Sequence, residues 1–263
     1  MTDGSGRQVT TGARRRRTKQ GTVLSEKLIV ETALRLIRQH GGEALTVRRL
    51  GAALGADPSA LYRYFPNTDG LLLAVADELI GQSFAGWAPT GDWRKDLREL
   101  GLRMHAAYQE HPQAAMLAAH RVTGRPHEVY AVESILGALR GGGFPDLEAV
   151  RIYHSFVDTS LAFAALDAST MALPPQAREA ERQVWHRTYA ALPAGSHPHI
   201  AATSTLLLAE MRRTAYTQSL DLLLEAASAR LVVLRGAAQP ERGANTPART
   251  HSLSDPREPE RSE

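Results

Sequence analysis

The sequence predicts an all-α protein, with a small three-helix head carrying a helix-turn-helix near its amino-terminal end and a larger helical body behind it. Three observations predict this. Apolar residues recur at the three- and four-residue spacing of a buried helical face in one segment after another. The segments open on Ser, Thr, Asn or Asp and close on Gly or Pro, the residues that cap and stop helices. Between Leu24 and Leu73, three such patterns follow in quick succession, with a tight Gly-containing break before the third.

The first pattern opens at Ser25 as N-cap, with Glu26 in the first turn, where negative charge suits the helix dipole. Ile29, Ala33, Leu36 and Ile37 share one face, and Gly41-Gly42 ends it. The second opens at the N-cap candidate Thr46, points Leu50 and Leu54 inward one turn apart, and stops at Gly55. After Ala56-Asp57 a short third helix opens at Pro58-Ser59, where Pro in the first turn is tolerated. Leu61 and Phe65 face the core, and Pro66 closes the helix. Two short helices around such a turn are the helix-turn-helix signature, in which the second helix enters the major groove of DNA while the first crosses the backbone. The expected exposed positions are Ser59, Ala60, Tyr62, Arg63 and Tyr64. They offer hydroxyls, a guanidinium and apolar surface, which suit phosphates, guanine edges and thymine methyl groups.

Charge separates this reading from an ordinary helical hairpin with a solvated polar face. From Arg14 to Phe65 there are eleven Lys and Arg against four Asp and Glu, a balance of +7. The whole chain carries only +3, so the remainder sums to −4. Basic character gathered on one segment is an electrostatic footprint for nucleic acid. Arg14-Arg15-Arg16-Arg17 with Lys19 is the sharpest cluster, in a stretch (residues 1–23) with almost no apolar residue, expected to be a disordered basic arm. Two readings stay open for it: an arm on phosphates or in a neighbouring minor groove, and a solubilising tail.

Thr46-Val-Arg-Arg-Leu-Gly-Ala-Ala-Leu-Gly-Ala followed by Leu61-Tyr-Arg-Tyr-Phe-Pro-Asn resembles the DNA-binding domain of the tetracycline-repressor (TetR) family. The strong resemblance covers residues 24–70, about a fifth of the chain. It implies a homodimeric regulator whose larger helical ligand-binding and dimerisation domain, residues 71–235, answers a small molecule. It also implies that the helix opening at Asn67-Thr68-Asp69 and running to about Phe84 links head to body and carries the allosteric signal. For the operator it points to Arg48 and the third helix. Thr46 and Tyr62 would fix phosphates, Arg63 and Tyr64 would reach bases, and Ser59 would do either. Thr68 stands where many relatives place a phosphate-contacting residue, often Lys, so its contact would be weaker.

In the body, Trp87 to Trp93 reads as a loop, with Asp92 as the next N-cap. Trp93 to His111 is helical, with Leu97, Leu100, Met104 and Tyr108 on one stripe. A short helix follows from Pro112, then a loop at Thr123–Pro126, then a helix from about His127 to Arg140 carrying Val129, Val132, Leu136 and Leu139. Gly141-Gly-Gly143 lacks the Lys-Ser/Thr of a phosphate loop and reads as a turn. Leu147 to about Thr170 is a long apolar helix rich in small residues. Pro174-Pro175 opens a more polar helix, and the last helical region holds Leu206 to Leu208 and then Tyr216, Leu220, Leu223, Leu224, Leu231 and Val232. The resemblance implies that two of these helices pair with their copies in a second subunit. Two recognition helices are also what the physics asks for, because one reads too few base pairs, and a dimer reads a palindrome with half-sites roughly 34–36 Å apart.

His120-Arg121, Arg125-Pro126 and Gly143-Phe144 resemble similarly placed pieces in the tetracycline-repressor branch, where a histidine helps bind a magnesium–drug complex. The remaining drug-contacting pattern is absent, so tetracycline itself is not the expected ligand. Candidate pocket residues are Met104, Tyr108, His120, Arg125, Phe156 and Ser160, polar or aromatic residues on otherwise apolar helices between residues 93 and 170. Residues 236–263 are expected to be a disordered tail.

Other chemistry is not signalled. There is no cysteine, hence no disulfide or thiol catalysis, which fits a reducing compartment. No zinc-protease, nucleophile-elbow or dinucleotide motif occurs, so neither an enzyme nor a cofactor is expected, and His197-Pro198-His199 is too small a set for a metal site. No apolar run has transmembrane length and no signal-peptide pattern follows the first charges, so no membrane partner is expected and the default is cytoplasmic. The expectation is a repressor on a palindromic operator released by a small-molecule ligand. A related activator or architectural DNA-binding protein without an inducer is the alternative, as is a helical enzyme that merely carries the motif, for which the sequence shows no acid/base cluster.

Overall fold

The computed structural model describes residues 23–118, 121–211 and 213–237, and among them every regular element is helical. The basic arm, His120 and residues 238–263 lie outside the described residues. The head holds α1 (Glu26–His40), a 3-10 turn (Gly42–Ala44), α2 (Val47–Leu54) and α3 (Pro58–Leu61). Then come α4 (Thr68–Phe84), α5 (Trp93–Glu110), α6 (Pro112–Ala118), α7 (Pro126–Gly141), α8 (Asp146–Ala172), α9 (Pro175–Ala190), α10 (Pro198–Glu210) and α11 (Tyr216–Ala237).

Helix starts follow the capping chemistry. Ser25, Thr46, Asn67 and Asp92 each sit in extended backbone and accept from an N–H of the following turn: Leu28 at 3.2 Å, Arg49 at 3.3 Å, Gly70 at 2.7 Å, and Arg94 and Lys95 at 3.1 and 3.2 Å. Helix α7, like α8, α9 and α10, starts without such a bond. Its N-cap residue, Arg125, makes no side-chain cap. Asp77 of α4 does that work from another helix, accepting from the N–H groups of Glu128 at 2.9 Å and His127 at 3.4 Å. Both of these N–H groups belong to the first turn, which has no intrahelical partner for them.

The body core is a stack of α5 on α8 and α11. Leu97, Leu100, Met104 and Tyr108 bury on one stripe of α5, as the spacing predicts. Gly101 on that stripe permits the close approach. A Cβ there would stand 2.7 Å from the Tyr216 hydroxyl, 2.9 Å from Leu220 and 3.2 Å from Phe156. Burial of α4 on several sides, through Leu71, Ala74, Val75, Asp77, Leu79 and Ser83, comes from its place among α1, α5, α6 and α7.

Of the apolar residues on α7, Leu139 is buried, Val132 and Leu136 are partly buried and Val129 is 59% exposed, while Ala131 and Ile135 complete the buried face against α4, α5 and α8. The last helical region is two helices, α10 and α11. Helices α9 and α10 pack on each other and contain no buried residue.

Candidate nucleic-acid interface

The head is held from inside by Ile29, Ala33, Ile37, Leu45, Leu50, Leu54, Leu61 and Phe65, all buried. The bend between α2 and α3 needs two glycines. Gly55 has φ 60°, the left-handed region that a side chain disfavours. Gly51 lies so near the bend that a Cβ would meet the Ala56 carbonyl at 3.0 Å and the Pro58 ring at 3.3 Å. Asp57 then caps α3, accepting from the Ser59 N–H at 2.8 Å. The sequence shows this residue but the spacing alone does not single it out as the cap.

On this scaffold the expected contact residues fall as follows. Ser59, Tyr62 and Arg63 are exposed on and just after α3, with Tyr62 53% accessible. Thr46, Arg48 and Arg49 are exposed at the start of α2, and Thr68 at the start of α4. The Thr46 oxygen accepts the cap bond, which leaves its hydroxyl proton free to donate to a phosphate. Tyr64 is exposed at its ring, but its hydroxyl donates to the Leu24 carbonyl at 2.7 Å, tying the chain before α1 to the end of the third helix. Ala60 is a correction. It is 6% exposed and packed into the head core beside Leu61, so it presents no surface to a partner. The helix is only one turn long, and its last two residues, Ala60 and Leu61, turn inward together.

The electrostatics of this face are one-sided. Among the described residues, no carboxylate lies within ion-pair distance of Arg48, Arg49 or Arg63, and the salt bridge in the head is the exposed Lys27–Glu31 pair at 3.9 Å. A guanidinium without an internal partner is available for a phosphate or a guanine edge.

Head and body meet at residues that local patterns miss. Arg121 donates to Asp69 at 2.6 Å, and Arg125 pairs with Glu26 of α1. Arg125, expected in an interior pocket, therefore sits at the head–body joint, and its buried Nε has no acceptor among the described residues. The partners are 52 and 99 residues apart in sequence, beyond any local signal. Of the other pocket candidates, Met104, Tyr108, Phe156 and Ser160 are buried in the body. Ser160 Oγ lies 2.8 Å from the Tyr216 hydroxyl, and the Tyr216 ring stacks on His105 with centroids 4.5 Å apart. His105 in turn bonds Asp167 at 2.7 Å. Burial pushes the Tyr216 phenol up to about 12, with the Ser160 bond opposing, and burial with the Glu128 charge likewise raises Tyr108.

A capped helix-turn-helix with unpartnered arginines, mounted through one linking helix on a helical body, defines the class of helix-turn-helix regulatory proteins. The family model described as "Bacterial regulatory proteins, tetR family" matches residues 29–75, and that of "Tetracyclin repressor-like, C-terminal domain" matches residues 86–230. The chain belongs to the TetR family. It is 31% identical over 142 residues to the HTH-type transcriptional repressor DrrR1 of Streptomyces coeruleorubidus, a match over 53% of this chain and 52% of DrrR1. Over 77 residues it is 36% identical to the class C tetracycline repressor protein of Escherichia coli, covering 28% of this chain and 35% of that protein. The chain spans about half the length of the curated relatives it matches, 52% in the first two. Among solved structures, the Streptomyces coelicolor TetR family protein ActR in complex with actinorhodin superposes with a TM-score of 0.68 at 25% identity, over 82% of this chain and 99% of that one. A possible TetR family regulator from the same organism superposes with a TM-score of 0.61 at 28% identity, over 81% and 100%. Among the described residues, no single helix is long and apolar enough to cross a membrane.

Proposed function

We propose that the protein is a DNA-binding transcriptional regulator, a homodimeric repressor that reads a palindromic operator through α3 and releases it when a small molecule binds the body. The observation that carries this is the exposed set Arg48, Arg49 and Arg63 around the capped third helix, without a carboxylate partner among the described residues. Thr46, Ser59, Tyr62 and Thr68 add hydroxyls on the same head, and the exposed ring of Tyr64 adds apolar surface. Dimerisation is supported by apolar side chains left exposed on α8 and α11. Leu166, Leu222, Val232 and Val233 are all more than 60% accessible, more than isolated surface residues need. Ligand release is supported by the likeness to ActR, which binds actinorhodin, and Met104, Tyr108, Phe156 and Ser160 are the interior candidates for it.

The test is selection of bound duplexes from a random pool, with light scattering on the same preparation. The expected outcome is a dimer that enriches an inverted repeat with half-site centres roughly one helical turn apart. A monomer that enriches no repeat at modest salt would overturn the reading.

A further inference from the structure

Between the outer face of α7 and the Ala85–Asp92 segment that joins α4 to α5 lies a cavity of about 440 Å³, within the size range of sites for small organic molecules. It shares no lining residue with the interior cluster around Tyr216. Its wall is aromatic: Trp87 and Tyr130 both stand edge-on to Phe84, with centroids 5.6 and 5.5 Å away. Its floor is small: Ser134, Gly137 and Gly141 recur on one face of α7. A Cβ built on either glycine meets no atom within 4 Å, so the space above them is open.

Two buried polar groups border this cavity. Asp96 is 1% exposed. One of its oxygens accepts from the Thr90 N–H at 2.9 Å and the Thr90 hydroxyl at 2.7 Å, yet among the described residues no Lys, Arg or His lies within ion-pair distance of it. The Trp87 indole N–H is buried and has no acceptor among the described residues. A carboxylate taken out of water without a counter-charge is costly, and its field acts strongly on whatever enters the space beside it. Aromatic faces attract cations as well.

We propose that this cavity binds an organic ammonium, its aromatic part lying over the glycine floor against Trp87 and Tyr130 and its cationic nitrogen drawn to Asp96. Trp87 hangs from the end of α4 and the floor belongs to α7, so an occupant bridges the helix that carries the head and the helix that Asp77 caps. This consequence rests on the ligand-release reading above, whereas the binding itself does not.

Calorimetric titration in the absence of DNA tests the binding, with 1-naphthylmethylammonium as probe and the neutral 1-naphthalenemethanol as its counterpart. The intact protein should bind the ammonium at least tenfold more tightly than the alcohol. Gly137→Leu projects into the open space from a Cβ that meets no atom within 4 Å, and it should lower ammonium affinity at least tenfold while the melting temperature holds. Asp96→Asn keeps the acceptor for Thr90 and should abolish the preference for the charged probe. Equal affinity for the two probes, or ammonium binding unchanged in the correctly folded Gly137→Leu variant, overturns the proposal. Operator titration with and without the ammonium separates the two readings: binding with no change in operator affinity upholds the cavity and counts against release.

Discussion

On the head, Arg48, Arg49 and Arg63 stand exposed with no carboxylate in reach among the described residues. Five arginines of the body do the opposite. Arg98 pairs with Asp221 at 2.7 Å, Arg103 with Glu99 at 2.7 Å, Arg151 and Arg230 both with Glu148 at 3.0 Å, and Arg94 with Glu225 at 3.6 Å. The effect reaches the titrations: the Arg98 bond holds the Asp221 carboxyl below its ordinary value, and the Arg230 bond does the same for Glu148. Cations of similar exposure thus serve two ends. In the body, Arg94, Arg98 and Arg230 tie together helices distant in sequence, Arg103 and Arg151 pair within their own helices, and exposed pairs of this kind contribute little to stability. In the head, under the proposed function, the arginines are left for an external anion, where each phosphate neutralised also releases counterions.

The contrast can be broken from the head first. The double variant Arg48→Ala/Arg63→Ala should bind the selected operator about a hundredfold more weakly and lower the slope of log affinity against log salt by up to about four, two charges from each protomer of the dimer, with its melting temperature unmoved. An operator affinity within twofold of the parent would remove these arginines from the interface. The next effect belongs to the joint. Asp77→Ala strips the acceptor from the first turn of α7, and unfolding should show a loss of about 1 kcal/mol, because His127 and Glu128 keep part-buried donors without a partner. A melting curve superimposable on the parent's would mean that water replaces the carboxylate there.

The body pairs should respond least. Arg98→Ala is expected to cost less than about 1 kcal/mol in denaturant unfolding and to leave operator affinity alone; a loss of DNA binding would erase the distinction between the two regions. Near the joint, burial and then the Arg38 guanidinium hold the His111 imidazole below its ordinary value of 6.5, with Glu110 opposing. The folded chain therefore takes up this proton less readily than the unfolded chain. The contribution is complete above pH 6.5 and is lost as pH falls from there toward the folded value. Comparing melting temperatures at about pH 7.5 and about pH 5.5, the parent should lose more on acidification than His111→Gln, and equal losses would assign the pH dependence elsewhere.

Much of the head was legible because its determinants are local. Ser25, Thr46 and Asn67 cap helices within three residues of themselves, and Gly55 turns the chain where it stands. Ala60 was misread for an equally local reason: a single helical turn has no periodicity to fix its face. On α7 the apolar residues do not mark the buried face by themselves, since Val129 is exposed and Ala131 buried, and contact with α4, α5 and α8 decides which side turns inward.

By itself, the sequence determined the helical class, the helix starts and the basic head, since propensity, capping and charge act over a few residues. Tertiary structure alone decided that Asp77 caps α7, that Arg121 and Arg125 brace the head, and that Asp96 is buried beside an aromatic cavity without a cation. Those arrangements join residues that chain order keeps far apart or says nothing about, and only the packing of helices brings them within reach of one another.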